Sequence, residues 1–243
     1  MSLDGRPETN DYYRRLADGQ GSYHRIIAQI HKMLQKNPSS YYIRGTFTRD
    51  NLDFANDIKH IIDLGWHNLS LEPAVGLGQE WTICLEDLPH IVREYENLAQ
   101  LLLKYHEENI PVNFFHYNLD LQRGPCVAKR STGCGAGVEY LVVTPNGDLY
   151  PCHQLVGQSD MKMGNIETGI TYPGIKQSFA ANTLFDKPTC RRCWARFYCG
   201  GGCHANNYFV NQTIAQPHGL YCDIHRQRIE SAIYLDLKKR LGS

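Results

Sequence analysis

The sequence predicts an α/β unit followed by a small cysteine-rich domain. Three observations predict it. Strand-like and amphipathic-helix segments alternate over the first 118 residues, hairpin and loop signals then replace them, and of nine cysteines only Cys84 precedes Cys126. Short strands alternating with helices build βαβ units around a parallel sheet. The expected division is 1–118 and 119–243.

The segment GSYHRIIAQIHKML sets Tyr23, Ile26, Ile27, Ile30, Met33 and Leu34 on one helical face, with Ser22 as the expected N-cap. The strand YYIRGTF (41–47) follows, then a helix carrying Ile58, Ile61, Ile62 and Leu64 and closed by Gly65. Next come the strand NLSLEP (68–73), a long helix opening near Asp87 and Pro89, and the strand VNFFHY (112–117). The long helix has Leu88, Ile91, Val92, Tyr95, Leu98, Leu102 and Tyr105 on one stripe. SLDG (2–5) reads as the end of a strand and a turn, so the α/β unit is expected to begin in mid-fold.

In the second half, EYLVVTPNGDLYPCH reads as a hairpin: a strand 139–144, a Pro-Asn-Gly-Asp turn, and a strand ending at Cys152. KMGNI (162–166) adds a third strand, irregular cysteine-bearing loops follow, and a helix through Ile224, Ile229, Ile233, Leu237 and Leu241 closes the chain. So little regular core calls for staples.

Lys plus Arg equals Asp plus Glu at 25 each, so no net field draws the chain to nucleic acid or membrane. No apolar run reaches membrane-spanning length, and MSLDGRPETNDYY lacks the regions of a secretion signal, so a cytoplasmic protein is expected. In a reducing compartment nine cysteines argue for metal or catalytic use over disulfides. Cys84, standing apart, reads as a plain thiol.

Zinc is the default for paired C-x2-C motifs, whereas iron–sulfur clusters take four cysteines each, and eight would fill two. Only Cys190 and Cys193 are spaced as a C-x2-C pair, and the other intervals are long and unequal. Gly200, Gly201 and Gly202 would let backbone N–H groups approach cluster sulfides. Spacing favours iron–sulfur and leaves zinc open.

Cys134, Gly147 with Cys152 five residues on, then Cys190, Cys193, Cys199 and Cys203, then Cys222 together resemble the SPASM signature, C-x(9–15)-G-x4-C, C-x2-C-x5-C-x3-C and a last C. SPASM domains extend radical S-adenosylmethionine (SAM) enzymes that modify peptides and carry auxiliary [4Fe–4S] clusters. The resemblance implies two clusters, one on Cys134, Cys152 and Cys203, with Cys126 outside the signature as candidate fourth ligand, and one on Cys190, Cys193, Cys199 and Cys222. SLDGRPETND, GSYHRII, YYIRGTFTRDNLDF, GPCVAKR, GCGAGVEYLVVTPNGDLYPCHQLVG and KMGNI are similar to maturases of six-cysteine (SCIFF) peptides. That likeness implies thioether crosslinking of a cysteine-rich precursor peptide after hydrogen abstraction by a 5′-deoxyadenosyl radical. Sulfatase-maturing relatives place Asp after the cysteine matching Cys152; His153 stands here, which argues against that branch.

The resemblance further implies SAM contacts at Ser2 and Asp4 (ribose) and at Arg44, whose planar fork suits the carboxylate. Asp4 as a turn cap and Arg44 as an ion-pair residue are the plainer readings. Glu72 and His116 lie on inferred inner strands, where satisfied polar residues explain them equally well. His153 is a candidate for proton transfer beside the expected substrate cavity, and His204 reads as structural. The C-x3-C-x2-C motif that holds the SAM-cleaving cluster is not in this sequence, and the chain resembles the part of such an enzyme from the fourth barrel strand onward. The expectation is therefore a partial radical SAM barrel (1–118) and a SPASM domain (119–243) that does not cleave SAM alone. The alternatives are a non-catalytic iron–sulfur module for electron transfer or peptide binding, working with a separate radical SAM partner, and a zinc-binding interaction domain.

Overall fold

The computed structural model describes residues 1–125 and 131–242. Two compact units divide the chain: Met1–Ala74, Gly78–Leu121 and the residues from Arg226 onward form the first, and Val75–Leu77 with Gln122–His225 the second.

In the first unit, β1 (Ile43–Phe47), β2 (Asn68–Pro73) and β3 (Asn113–Phe114) pair in parallel in that order, with Ile43 opposite Leu69 and Leu69 opposite Phe114. SLDG does continue the sheet on the other side of β1. Leu3 donates its N–H to the Arg44 carbonyl at 3.0 Å, and Arg44 donates to the Met1 carbonyl at 2.8 Å. Helices α1 (Pro7–Tyr13), α2 (Tyr23–Leu34), α3 (Phe54–Asp63) and α4 (Leu88–Glu107) intervene. Alternate strand residues Leu3, Ile43, Phe47, Leu69 and Leu71 are fully buried, as are Ile58 and Ile61 of α3 and Ile91 and Tyr95 of α4. Phe47 stacks on Phe54 at 4.4 Å between ring centres, and Tyr95 meets Phe54 edge-on at 5.0 Å.

Three local expectations change. Ser22 precedes α2, but its hydroxyl donates to the Arg14 carbonyl at 2.6 Å; Asp11 Oδ1 accepts the Tyr23 N–H instead, at 2.7 Å. The strand expected over 112–117 keeps only two residues, because Phe115–Tyr117 wind into a 3-10 turn whose Tyr117 hydroxyl donates to the Tyr95 carbonyl at 3.0 Å. In the last helix Leu237 and Leu241 are 51% and 83% exposed, while Tyr221, Ile224, Ala232 and Leu235 are buried. Ile224 and Ile229 are buried as expected, but the inward stripe then passes through Arg228, which bonds Glu72, and on to Ala232 and Leu235 rather than Leu237 and Leu241.

The second unit is built on an antiparallel meander, β4 (Val142–Val143), β5 (Asp148–Tyr150), β6 (Gly164–Asn165) and β7 (Gly169–Ile170). The hairpin and third strand lie where expected; β7 extends them. The stretch expected as loops contains α5 (Pro173–Ala181), α6 (Pro188–Arg191), α7 (Arg196–Cys199) and α8 (His204–Asn211). Helices of four residues carry no readable period. A small core of Ala136, Cys152, Leu155, Phe179, Ala205, Tyr208 and Ile214 supports them. The closing helix is α9 (Gly219–Leu241). Among the described residues no helix is long and apolar enough to cross a membrane.

Gly45 tests the sheet core. A Cβ there would lie 2.6 Å from the Leu3 carbonyl oxygen and 2.8 Å from Leu71 Cδ1. Gly45→Ala is expected to cost about 1–3 kcal/mol through overpacking, and Phe54→Ala about 3–5 kcal/mol through the cavity it leaves. Urea midpoints at an unchanged slope would read both.

Candidate metal centre

Two groups of cysteines form in the second unit. Cys134 follows the Thr132–Gly133 segment, Cys152 ends the β5 arm, and Cys203 precedes α8. The charges of Cys134 and Cys152 both bear on Cys203, whose thiol burial pushes up to about 11. Burial also raises the Cys152 thiol, with Cys134 adding to the effect. The Tyr140 hydroxyl points at Cys134 Sγ from 4.0 Å, and the Cys203 thiol at Gln154 Oε1 from 4.0 Å.

The other group gathers Cys190 of α6, Cys193, Cys199 at the end of α7, and Cys222 of α9. Cys190 is buried, and burial raises its thiol, while Cys193 and Cys199 act on it. Burial lowers the pKa of Lys187, against the opposing pull of Cys190, Cys199 and Cys222; its fully buried ammonium donates to the Gly201 carbonyl at 3.2 Å. The turn between Cys199 and Cys203 is made by Gly200, Gly201 and Gly202, at φ values of 73°, 93° and 80°.

These residues suit a metal cluster by their chemistry. The eight described cysteines are free thiols. Buried thiols with raised pKa values stay protonated on their own; a bound metal makes them thiolates. Among the described residues no three His, Cys, Asp or Glu side chains converge tightly enough to share one ion. Cys126 lies outside the described residues.

His153 is exposed in the 3-10 turn after Cys152. His204 is 2% exposed, and its Nδ1 accepts from Asn182 Nδ2 at 2.9 Å, the partner expected of a structural histidine. Burial beside Lys187 holds its pKa down at about 4. Cys84 caps the 3-10 turn before α4, its N–H and Sγ both directed at Asp87 Oδ2.

In the first unit the second sheet face is polar. Ser2 and Ser70 flank Arg44 in register, and Thr46 faces Glu72. Ser2 and Arg44 are exposed. Asp4 is engaged: Arg14 grips both carboxylate oxygens, Oδ1 also accepts the Thr46 N–H at 2.9 Å, and the side chain is 8% exposed. Glu72 binds Arg228 at 3.0 Å and His116 at 3.3 Å, and Ser70 lies 3.1 Å from the same His116 nitrogen. Sequence reasoning missed Lys187, Arg14 and Arg228. Only Lys187 left a signal, a lysine three residues ahead of a C-x2-C pair.

Residues 134–194 match the SPASM family, an iron–sulfur cluster-binding domain. The fold resembles that of anSMEcpe, a radical SAM/SPASM maturase. The polyhistidine-tagged form with bound AdoMet aligns at a TM-score of 0.74 and 16% identity, covering 99% of this chain and 65% of that one. Native anSMEcpe with bound AdoMet and Cp18Cys peptide aligns at 0.73 and 17%, covering 100% and 69%. An uncharacterized protein of Synechocystis sp. is 22% identical over 278 residues, covering all of this chain and 64% of its own length. The chain thus spans 64–69% of these proteins.

The polar sheet face separates structural from exposed side chains. Asp4→Asn is expected to cost about 1–3 kcal/mol by weakening charge-assisted bonds to Arg14. Arg44→Met, at an exposed position, is expected to stay within about 0.5 kcal/mol of the parent. Denaturant unfolding of the two variants side by side checks the contrast.

Proposed function

We propose, for a chain that carries an iron–sulfur SPASM domain and has the fold of radical SAM/SPASM enzymes, that it is the auxiliary-cluster part of a peptide-modifying radical enzyme. The observation that carries this reading is the gathering of the cysteines into two sets of free thiols around one glycine turn, buried or half-buried except for the exposed Cys134. Cys190, Cys193, Cys199 and Cys222 would hold one [4Fe–4S] cluster. Cys134, Cys152 and Cys203 would hold the other, with Cys126 as its fourth ligand or with one iron left open to a substrate thiolate. Such clusters supply one-electron transfer and thiolate binding.

The substrate we assign is a cysteine-rich ribosomal precursor peptide, and the product a thioether crosslink, as in the six-cysteine peptide maturases. The structural neighbour bound to Cp18Cys peptide is consistent with a peptide partner. SAM cleavage belongs in this reading to whichever segment or partner carries C-x3-C-x2-C. Arg44, exposed beside Ser2, suits the SAM carboxylate, and His153, exposed after Cys152, would exchange protons beside the substrate. The polar sheet face also favours a second reading, a non-catalytic iron–sulfur module serving a separate radical SAM enzyme, because Arg14 and Thr46 already occupy the Asp4 carboxylate.

Anaerobic reconstitution followed by metal and sulfide analysis tests the proposal. About eight irons with matching sulfide per chain are expected, falling by about four in Cys190→Ser and by about four in Cys152→Ser. About two zincs without sulfide would replace it with a zinc-stapled binding domain. Equilibrium dialysis with labelled SAM separates the two iron–sulfur readings: binding weakened at least tenfold by Arg44→Met supports the enzyme, and no binding supports the module.

A further inference from the structure

Lys187 is 0% exposed, and among the described residues its ammonium bonds only the Gly201 carbonyl, at 3.2 Å. No carboxylate in the described residues forms an ion pair with it. A buried cation without an anion is strongly unfavourable, and proteins retain one where a counter-charge is supplied. The groups that bear on it are Cys190, Cys199 and Cys222, with Asp186 contributing last. The local backbone is shaped around the ammonium: Gly201 has φ +93°, and a Cβ there would come to 3.0 Å from Lys187 Nζ.

We propose that Lys187 is the charge-compensating residue of the cluster on Cys190, Cys193, Cys199 and Cys222. A four-iron cluster held by four thiolates is anionic, and accepting one electron from a reductant makes it more so. A fixed positive charge in a water-excluded site stabilises the reduced form more than the oxidised form. Lys187 therefore raises the reduction potential of this cluster above that of an otherwise identical neutral site. It acts through charge, as a positioning and tuning residue, and touches no substrate. The inference rests on the iron–sulfur reading given above.

The experiment uses the full chain, reconstituted anaerobically, as wild type, Lys187→Met and Lys187→Arg. Iron and sulfide are counted first, then dithionite titration is followed by electron paramagnetic resonance. Wild type loading zinc without sulfide overturns the iron–sulfur reading and this inference with it. With iron and sulfide present in wild type, one cluster signal in Lys187→Met is expected at a more negative potential, the other unmoved, and Lys187→Arg is expected close to wild type. Iron release to a chelator should be several-fold faster in Lys187→Met. If Lys187→Met loads only about four irons while Lys187→Arg loads the full set, the charge requirement is supported. An unchanged potential in Lys187→Met overturns the proposal, as does equal loss of iron in both variants, which would mark a role in shape alone.

Discussion

The second unit depends on how closely two backbones approach at its centre. A Cβ on Gly200 would lie 2.7 Å from the Thr132 carbonyl oxygen, and one on Gly133 would lie 2.3 Å from the Gly202 carbonyl oxygen. Three consecutive residues with φ between 73° and 93° are open only to glycine without strain. The run reverses the chain between Cys199 and Cys203, so that these near neighbours in sequence serve different cysteine sets. One turn thereby ties Thr132–Cys134, α7, α8 and Lys187 together.

Around that turn the apolar material is sparse. Its core includes two small alanines and Cys152 itself, and the helices beside it are four to nine residues long. Isolated helices of that length are not stable in water. A buried lysine is unfavourable until an anionic group faces it, and buried thiols become thiolates when they bind metal, so in the proposed function cluster binding would add directly to the folding free energy of this unit. The first unit needs no such help, because its sheet closes on stacked aromatic rings and fully buried aliphatic side chains.

That first sheet has two faces of different legibility. Leu3, Ile43, Phe47 and Leu69 alternate in period two and announce the apolar face. The polar face is a network rather than a pattern: Arg14 on Asp4, and Arg228 and His116 on Glu72. Arg228 lies 156 residues from Glu72, so no local window links them. Residues named from the resemblance as SAM contacts therefore divide: Arg44 and Ser2 remain open, whereas Asp4 is committed to holding its own neighbourhood.

The sequence by itself determined the alternation of strands and helices, the strand 68–73 to the residue, the hairpin, the long α4 stripe and the cysteine spacing that marks a SPASM domain, because period, turn chemistry and ligand spacing are local properties of a chain. It misread Ser22, Leu237 and the helices between Pro173 and Asn211. There the deciding partners are distant, as with Arg228 and Glu72, or the elements are too short to show a period. Only the tertiary structure decided that Lys187 is buried, with its ammonium on the Gly201 carbonyl. Burial, and the anion it demands, arises when separate segments exclude water from the same volume.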